Sequence, residues 1–260
     1  MENFDKYKEN LLSVGRKKIL NISKSKEDNK KFEQAIIIDI LEPRESRKGK
    51  QDFLPHDFFY SSLFNGFGEI ILTFERLQDL ETYISYFPKT KTSLAKINYL
   101  CLLIENHLNE IYILKERLVK YFKKIEDFYK GDCRYTSVKN KCQQLINTVE
   151  YNVKIIKDLR HNHTHDFRYL DKDIKRLGTL SLHEEFLNEL KIISPTHSIP
   201  FIPNFKTEYR KVRHKWKKKF KKNNKDIKIV LNDCFKEINA IIFPGDGEIS
   251  YPKKHGSIKE

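Results

Sequence analysis

The sequence predicts an all-α protein, a four-helix antiparallel bundle carrying a small N-terminal accessory segment. Three observations lead there. The 260-residue chain holds only 9 Gly and 8 Pro, about half the usual share, which argues against loop-rich all-β folds. Apolar residues recur at three- and four-residue spacing through most of the stretch from Phe67 to Phe243, the pattern of helices that bury one face. The interruptions are helix-ending signals: Pro88, Gly131-Asp132, and three prolines between 195 and 203.

Taken in order, residues 1–66 form the accessory segment. A short helix is expected near Phe4–Leu12, and the β-branched run from Ala35 to Leu41, closed by Glu42-Pro43, suits a short buried strand. Residues 44–52 read as an exposed loop. The bundle spans 67–245. Its first helix carries Ile70, Phe74, Leu77, Leu80, Ile84 and Phe87. A second, capped by Ser93, runs to Tyr129 along Ile97, Cys101, Ile104, Leu108, Ile111 and Leu118. The third begins near Ser137, carries Val138, Cys142, Leu145 and Val149, and leads into a histidine-rich segment at 160–165. A short helix over 182–190 and an extended connection precede a fourth long helix, Phe205–Phe243. Short links favour antiparallel neighbours for the first three helices. Residues 246–260 read as a polar tail.

Composition bounds the function. Charged residues make up 33% and aromatics 12%, too aromatic for a disordered chain and too charged for a membrane protein. Apolar runs such as Tyr99–Ile104 fall far short of a span, and the acidic Met1-Glu-Asn-Phe-Asp start lacks a secretory apolar core. The four cysteines form no CxxC pair and read as buried apolar residues of a reducing compartment. A cytoplasmic protein without membrane contact or cofactor is the expectation.

Net charge is +14, and most of it sits on one helix. Residues 204–228 carry Lys206, Arg210, Lys211, Arg213, Lys215, Lys217, Lys218, Lys219, Lys221, Lys222, Lys225 and Lys228 against Glu208 and Asp226. Like charges one turn apart destabilise a helix by a few tenths of a kcal/mol per pair, about 0.2–0.5. A polyanion that neutralises them offsets this, so RNA is the expected partner, held through its phosphates. The competing reading is a solubilising or membrane-surface patch. No base-reading motif accompanies the run.

Chemistry is concentrated in Arg160-His161-Asn162-His163-Thr164-His165, flanked by Asp158 and Asp166. Three readings compete. Arg and His favourably meet the negative end of a helix dipole. His161 and His165, four apart, could grip a metal ion from one helix face, or all three histidines could from an extended chain. Metal-free cleavage of RNA is the third: a histidine near neutral pKa takes the ribose 2′-hydroxyl proton, another protonates the leaving oxygen, and an arginine stabilises the phosphorane. One Arg and one His are too few for both transfers, but two copies related by a two-fold axis suffice.

These residues resemble the Arg-polar-x-x-x-His signature of the HEPN superfamily, all-α ribonucleases and RNA-binding modules. The placement of the segment after the third helix is similar too, and the resemblance covers 67–243. It implies a metal-independent endoribonuclease with a composite site in a homodimer, leaving a 2′,3′-cyclic phosphate, in phage defence, a toxin system or RNA processing. Arg160 and His165 then take the catalytic roles and His161 the polar position. His163 has no assigned counterpart and is either a second proton carrier or a neighbour. An antitoxin or defence-system partner is implied as well. Where some toxin members carry a modifiable Tyr, this chain has Phe167, so that mode of control is not implied.

The band Glu105, Asn106, His107, Asn109 and Glu110 on the second helix reads as solvent-facing, the alternative being that Glu105 or Asn109 lines the cleft as a helper. The glycines of Gly66-Phe67-Gly68-Glu69 form no phosphate-binding loop. The runner-up function is a non-catalytic RNA- or partner-binding module of the same fold, and the third a metal-binding helical protein.

Overall fold

A computed structural model describes residues 2–22, 55–86, 92–165, 172–193, 203–245 and 247–253. Six helices form among them: α1 Asn3–Ile22, α2 Pro55–Tyr83, α3 Ser93–Phe128, α4 Tyr135–His165, α5 Lys172–Ile193 and α6 Phe205–Ile242. No strand occurs among the described residues, so the all-α expectation holds there. The expected strand at 35–41, the loop at 44–52 and the connection at 195–202 lie outside them.

Local chemistry sets the ends. Pro55 opens α2, its fixed φ and missing N–H suiting a first helical position. Thr92, not Ser93, caps α3: its Oγ1 accepts the Ala95 amide at 3.3 Å, and Ser93 Oγ instead donates to Glu184 on α5 at 3.1 Å. Gly131 turns the chain after α3 at φ +88°. Asn204 caps α6 by accepting the Thr207 amide at 3.2 Å.

Two expected boundaries move. The first bundle helix begins at Pro55, twelve residues before Phe67. Phe59, Leu63 and Phe67 already bury one stripe, and Gly66 serves packing within the helix: a Cβ there would lie 2.7 Å from the Tyr121 ring. The expected short helix at 182–190 is the longer α5, whose Ile174, Leu177 and Leu180 are buried.

The chain divides into two compact units; one division falls after Gly68, beside the expected boundary at 66/67, but residues 1–68 share their unit with two later segments. Unit 1 comprises Met1–Gly68, Tyr121–Leu145 and Val230–Glu260; unit 2 comprises Glu69–Lys120 and Ile146–Ile229. Helices α2, α3, α4 and α6 each contribute to both. The N-terminal helix contributes to the core of unit 1. Phe4, Tyr7 and Leu11 are buried, and Phe4, Tyr7, Phe67 and Phe235 meet with ring centroids 5.0–5.2 Å apart, mostly in the edge-on or tilted contacts rings prefer. Residues 247–253 are likewise not a free tail. Ile249 is buried, Tyr129 Oη donates to the Ser250 carbonyl at 2.8 Å, and the Lys253 amide donates to Asp132 Oδ2 at 2.6 Å.

Unit 2 packs Leu80, Ile84, Ile97, Leu100, Ile104 and Leu108 from α2 and α3 against Ile174, Leu177 and Leu180 of α5 and Tyr209, Val212, Trp216 and Phe220 of α6. The lysine-rich stretch of α6 is thus one wall of a buried core.

Candidate nucleic-acid interface

The stripe Phe205, Tyr209, Val212, Trp216 and Phe220 turns one side of α6 inward. At 100° per residue, that leaves Arg210, Lys217, Lys218, Lys221, Lys222 and Lys225 on the other side, all exposed. None of these six forms an ion pair among the described residues, and Lys206 one turn earlier behaves alike. A shallow open depression of about 430 Å³ lies on this side, lined by His214, Lys215, Lys218, Lys219 and Lys222.

The remaining expected contact residues are engaged. Lys215 pairs with Asp173 in the first turn of α5, and this holds the Asp173 carboxyl below the usual carboxylate range. Lys211 reaches Glu208 at 2.8 Å, and Arg176 meets the same carboxylate at 3.2 Å, lowering its pKa. Lys219 lies over the Trp216 ring, 4.0 Å from its centroid, a cation–π contact. Arg213 is half-buried, with one terminal guanidinium nitrogen inside the protein. The solvent-facing cation set is narrower than the sequence alone implies, because the acids that subtract from it lie on α5 and at the start of α6.

Helix α4 continues unbroken through the histidine segment to His165. Positions 160 and 165 are therefore about 140° apart around its axis. The side chains of Arg160, His161, His163 and His165 lie outside the described residues. Among the described residues, no three His, Cys, Asp or Glu side chains gather as a metal site.

On α3 the polar band splits. Asn109 is exposed and Glu105 intermediate. His107 is not on a solvent face: it is fully buried, stacked on Phe220 of α6 with centroids 3.8 Å apart and planes 10° off parallel. Asn223 Nδ2 approaches His107 Nε2 at 3.5 Å. Burial pushes the imidazole pKa down to about 3, so the ring is neutral. Nearby on α6, Asn224 donates to the Leu77 carbonyl at 3.0 Å and to Glu81 at 2.9 Å. These contacts fix the rotation of α6 and hence which lysines face solvent. Helical spacing already marks His107 as inward, since Leu103, Ile104, Ile111 and Leu114 stand three, four and seven residues away, although its neighbours Glu105, Asn106 and Asn109 are polar.

All four cysteines are free thiols. Burial raises the pKa of Cys142 and of Cys234 to about 12, which makes both poor nucleophiles. No described helix is long and apolar enough to cross a membrane. Compared with protein-family models, with curated proteins and with solved structures, the chain matches none.

Proposed function

We propose that the protein is a metal-independent, HEPN-type endoribonuclease that holds RNA by its phosphates on α6 and cuts it at a site completed by a second copy of the chain. The observation that carries the reading is the row of six exposed α6 cations without ion-pair partners among the described residues. A face of one sign, kept clear of its acids, is suited to a polyanion. The cleavage half rests on the Arg160–His165 motif at the end of α4, within a HEPN-like bundle of α2, α3, α4 and α6. His165 takes the 2′-hydroxyl proton, O2′ bonds to phosphorus, and Arg160 stabilises the phosphorane. The P–O5′ bond then breaks as O5′ is protonated by the second copy's imidazole. His161 is the polar helper. Such an enzyme acts in the cytoplasm, in phage defence or a toxin system, under an antitoxin or defence partner.

One observation favours a second reading, a non-catalytic RNA-binding module. An unbroken α4 sets positions 160 and 165 far apart around the helix, so one copy alone does not present both on one face.

Cleavage of a labelled RNA pool in EDTA separates the two. Wild type is expected to leave cyclic-phosphate ends, with Arg160→Ala and His165→Ala at least about 100-fold slower and RNA affinity preserved in both. Binding without cutting by wild type establishes the module instead.

A further inference from the structure

The same α6 face also carries information about which part of a nucleic acid it touches. Base contacts need either rings that stack or amides and guanidinium groups that reach base edges. On α6 most of these groups are turned away, Arg210 and His214 excepted. Tyr209, Trp216 and Phe220 are buried, and Lys219 covers the Trp216 ring from outside. Asn223 is directed to His107, and Asn224 to the Leu77 carbonyl and Glu81. Arg213 is partly buried. What remains outward is chiefly ammonium, a point charge suited to phosphate oxygens, with Arg210 offering the one exposed planar fork and His214 the one exposed ring.

The arrangement of the charges agrees. Arg210, Lys217, Lys218, Lys221, Lys222 and Lys225 cover a sector of roughly 140° along about 22 Å of helix. Glu208 and Asp226 bound the row at its two ends. The depression within it is shallow and open, not a cleft narrow enough to require an unpaired strand. With one cation to one phosphate, the six-residue row engages up to about six phosphates.

We infer that the α6 face binds the phosphodiester backbone without its bases, so that base-paired RNA is held as well as single-stranded RNA. This rests on the nucleic-acid reading above and narrows its substrate class: recognition by α6 is blind to sequence and to pairing. Selectivity for a cut position then arises elsewhere in the chain.

The test uses the full-length His165→Ala protein, so that RNA is not consumed, and fluorescence anisotropy between 50 and 200 mM KCl. Three 12-nucleotide probes are compared: mixed-sequence single-stranded RNA, the same sequence as a duplex, and an abasic sugar–phosphate strand. The abasic strand is expected to bind within about 3-fold of the RNA strand, and the duplex at least as tightly. The slope of log K against log salt for the single strands should be about −4, from six phosphate contacts. Lys218→Glu/Lys222→Glu should weaken all three probes in parallel by about 10-fold or more. Lys217→Glu/Lys221→Glu is the independent second variant, with native Trp216 fluorescence as the control for folding. Single-stranded RNA bound 30-fold tighter than the abasic strand or the duplex would overturn the inference alone, pointing to stacking on an exposed ring, His214 on this face or Tyr151. Failure of all three probes to bind would overturn the nucleic-acid reading with it.

Discussion

The two compact units treat buried polarity in opposite ways. In unit 1 the interior polar groups complete one another. Tyr7 and Tyr121, both buried, share a hydrogen bond of 2.6 Å. Asp132 accepts from the Arg134 amide and guanidinium and from the Lys253 amide. In unit 2, His107 Nδ1, Glu110 Oε2 and Asn224 Oδ1 are buried without a hydrogen-bond partner among the described residues. Each such atom destabilises the unit that holds it by about 1–3 kcal/mol. Unit 2 is also the unit that carries the exposed cations. Unit 1 is thus built as a self-satisfied scaffold, while unit 2 combines a weakened interior with the surface that binds. Reporters for the contrast are already present: the chain's single tryptophan, Trp216, is buried in unit 2, and the buried thiols Cys142 and Cys234 lie in unit 1.

The largest expected effect is acid loosening of unit 2 through His107. Its folded pKa, about 3, lies below the ordinary histidine value of 6.5. Between those values the unfolded chain binds a proton that the folded protein refuses, so stability is full above pH 6.5 and falls as pH drops toward 3. A gap of that size corresponds to about 4–5 kcal/mol over the whole window and to about 2.5 kcal/mol by pH 4.5. Urea midpoints followed by Trp216 fluorescence at pH 6.5 and 4.5 should show that loss in wild type and much less of it in His107→Leu. An equal acid slope in the variant would mean that the buried imidazole is not the source, and the contrast between units would lose its main support.

Unit 1 should respond to loss of Asp132 instead. Burial notwithstanding, the Arg134 guanidinium holds this carboxyl far below the usual carboxylate range. Asp132→Ala strands Arg134 and the Lys253 amide together, for about 3 kcal/mol. The predicted signature is faster labelling of Cys142 and Cys234 in a Cys101→Ser/Cys133→Ser background, with the Trp216 transition little changed. In wild type the clasp's contribution declines only as pH falls below about 4, where Asp132 of the unfolded chain takes up a proton that the folded carboxylate still refuses. A parallel shift of both reporters would show that the units unfold as one, erasing the distinction.

How much of this was legible beforehand depended on how far each contact reaches along the chain. The stripes of α3 and α6 gave their bounds to within one residue, because Ile97–Ile125 repeats without a break and Tyr209–Ile241 is interrupted only at Asn223-Asn224. The start of α2 was missed although Phe59, Leu63 and Phe67 stand at helical spacing, and the reason for a glycine at 66 is the ring of Tyr121 on another helix. The inward position of His107 was readable from Leu103, Ile104 and Ile111 at helical spacing, whereas its stacking on Phe220, remote in sequence, was not. The cation run was plain, yet Asp173, which removes Lys215 from the free set, stands on α5. The Arg160–His165 motif was visible as a pattern, and its backbone is now placed at the end of α4. Periodicity reports which face of a helix is apolar; it does not report which polar side chains a distant helix will claim.

The smallest effect gives the sharpest comparison. Tyr7→Phe removes one hydroxyl from the buried pair and leaves the Tyr121 hydroxyl without its partner, an expected loss of about 1–2 kcal/mol. Tyr121→Phe should cost about the same. The double variant removes donor and acceptor together, so no orphaned hydroxyl remains and the loss should fall well short of the sum of the singles. Urea unfolding read by thiol labelling of Cys142 and Cys234 measures all three. Strict additivity would mean that the two hydroxyls do not depend on each other, and that the hydrogen bond contributes little to the order of unit 1. A near-neutral double variant would show that the pair is tolerated because it is complete, the condition that His107, Glu110 and Asn224 do not meet in unit 2.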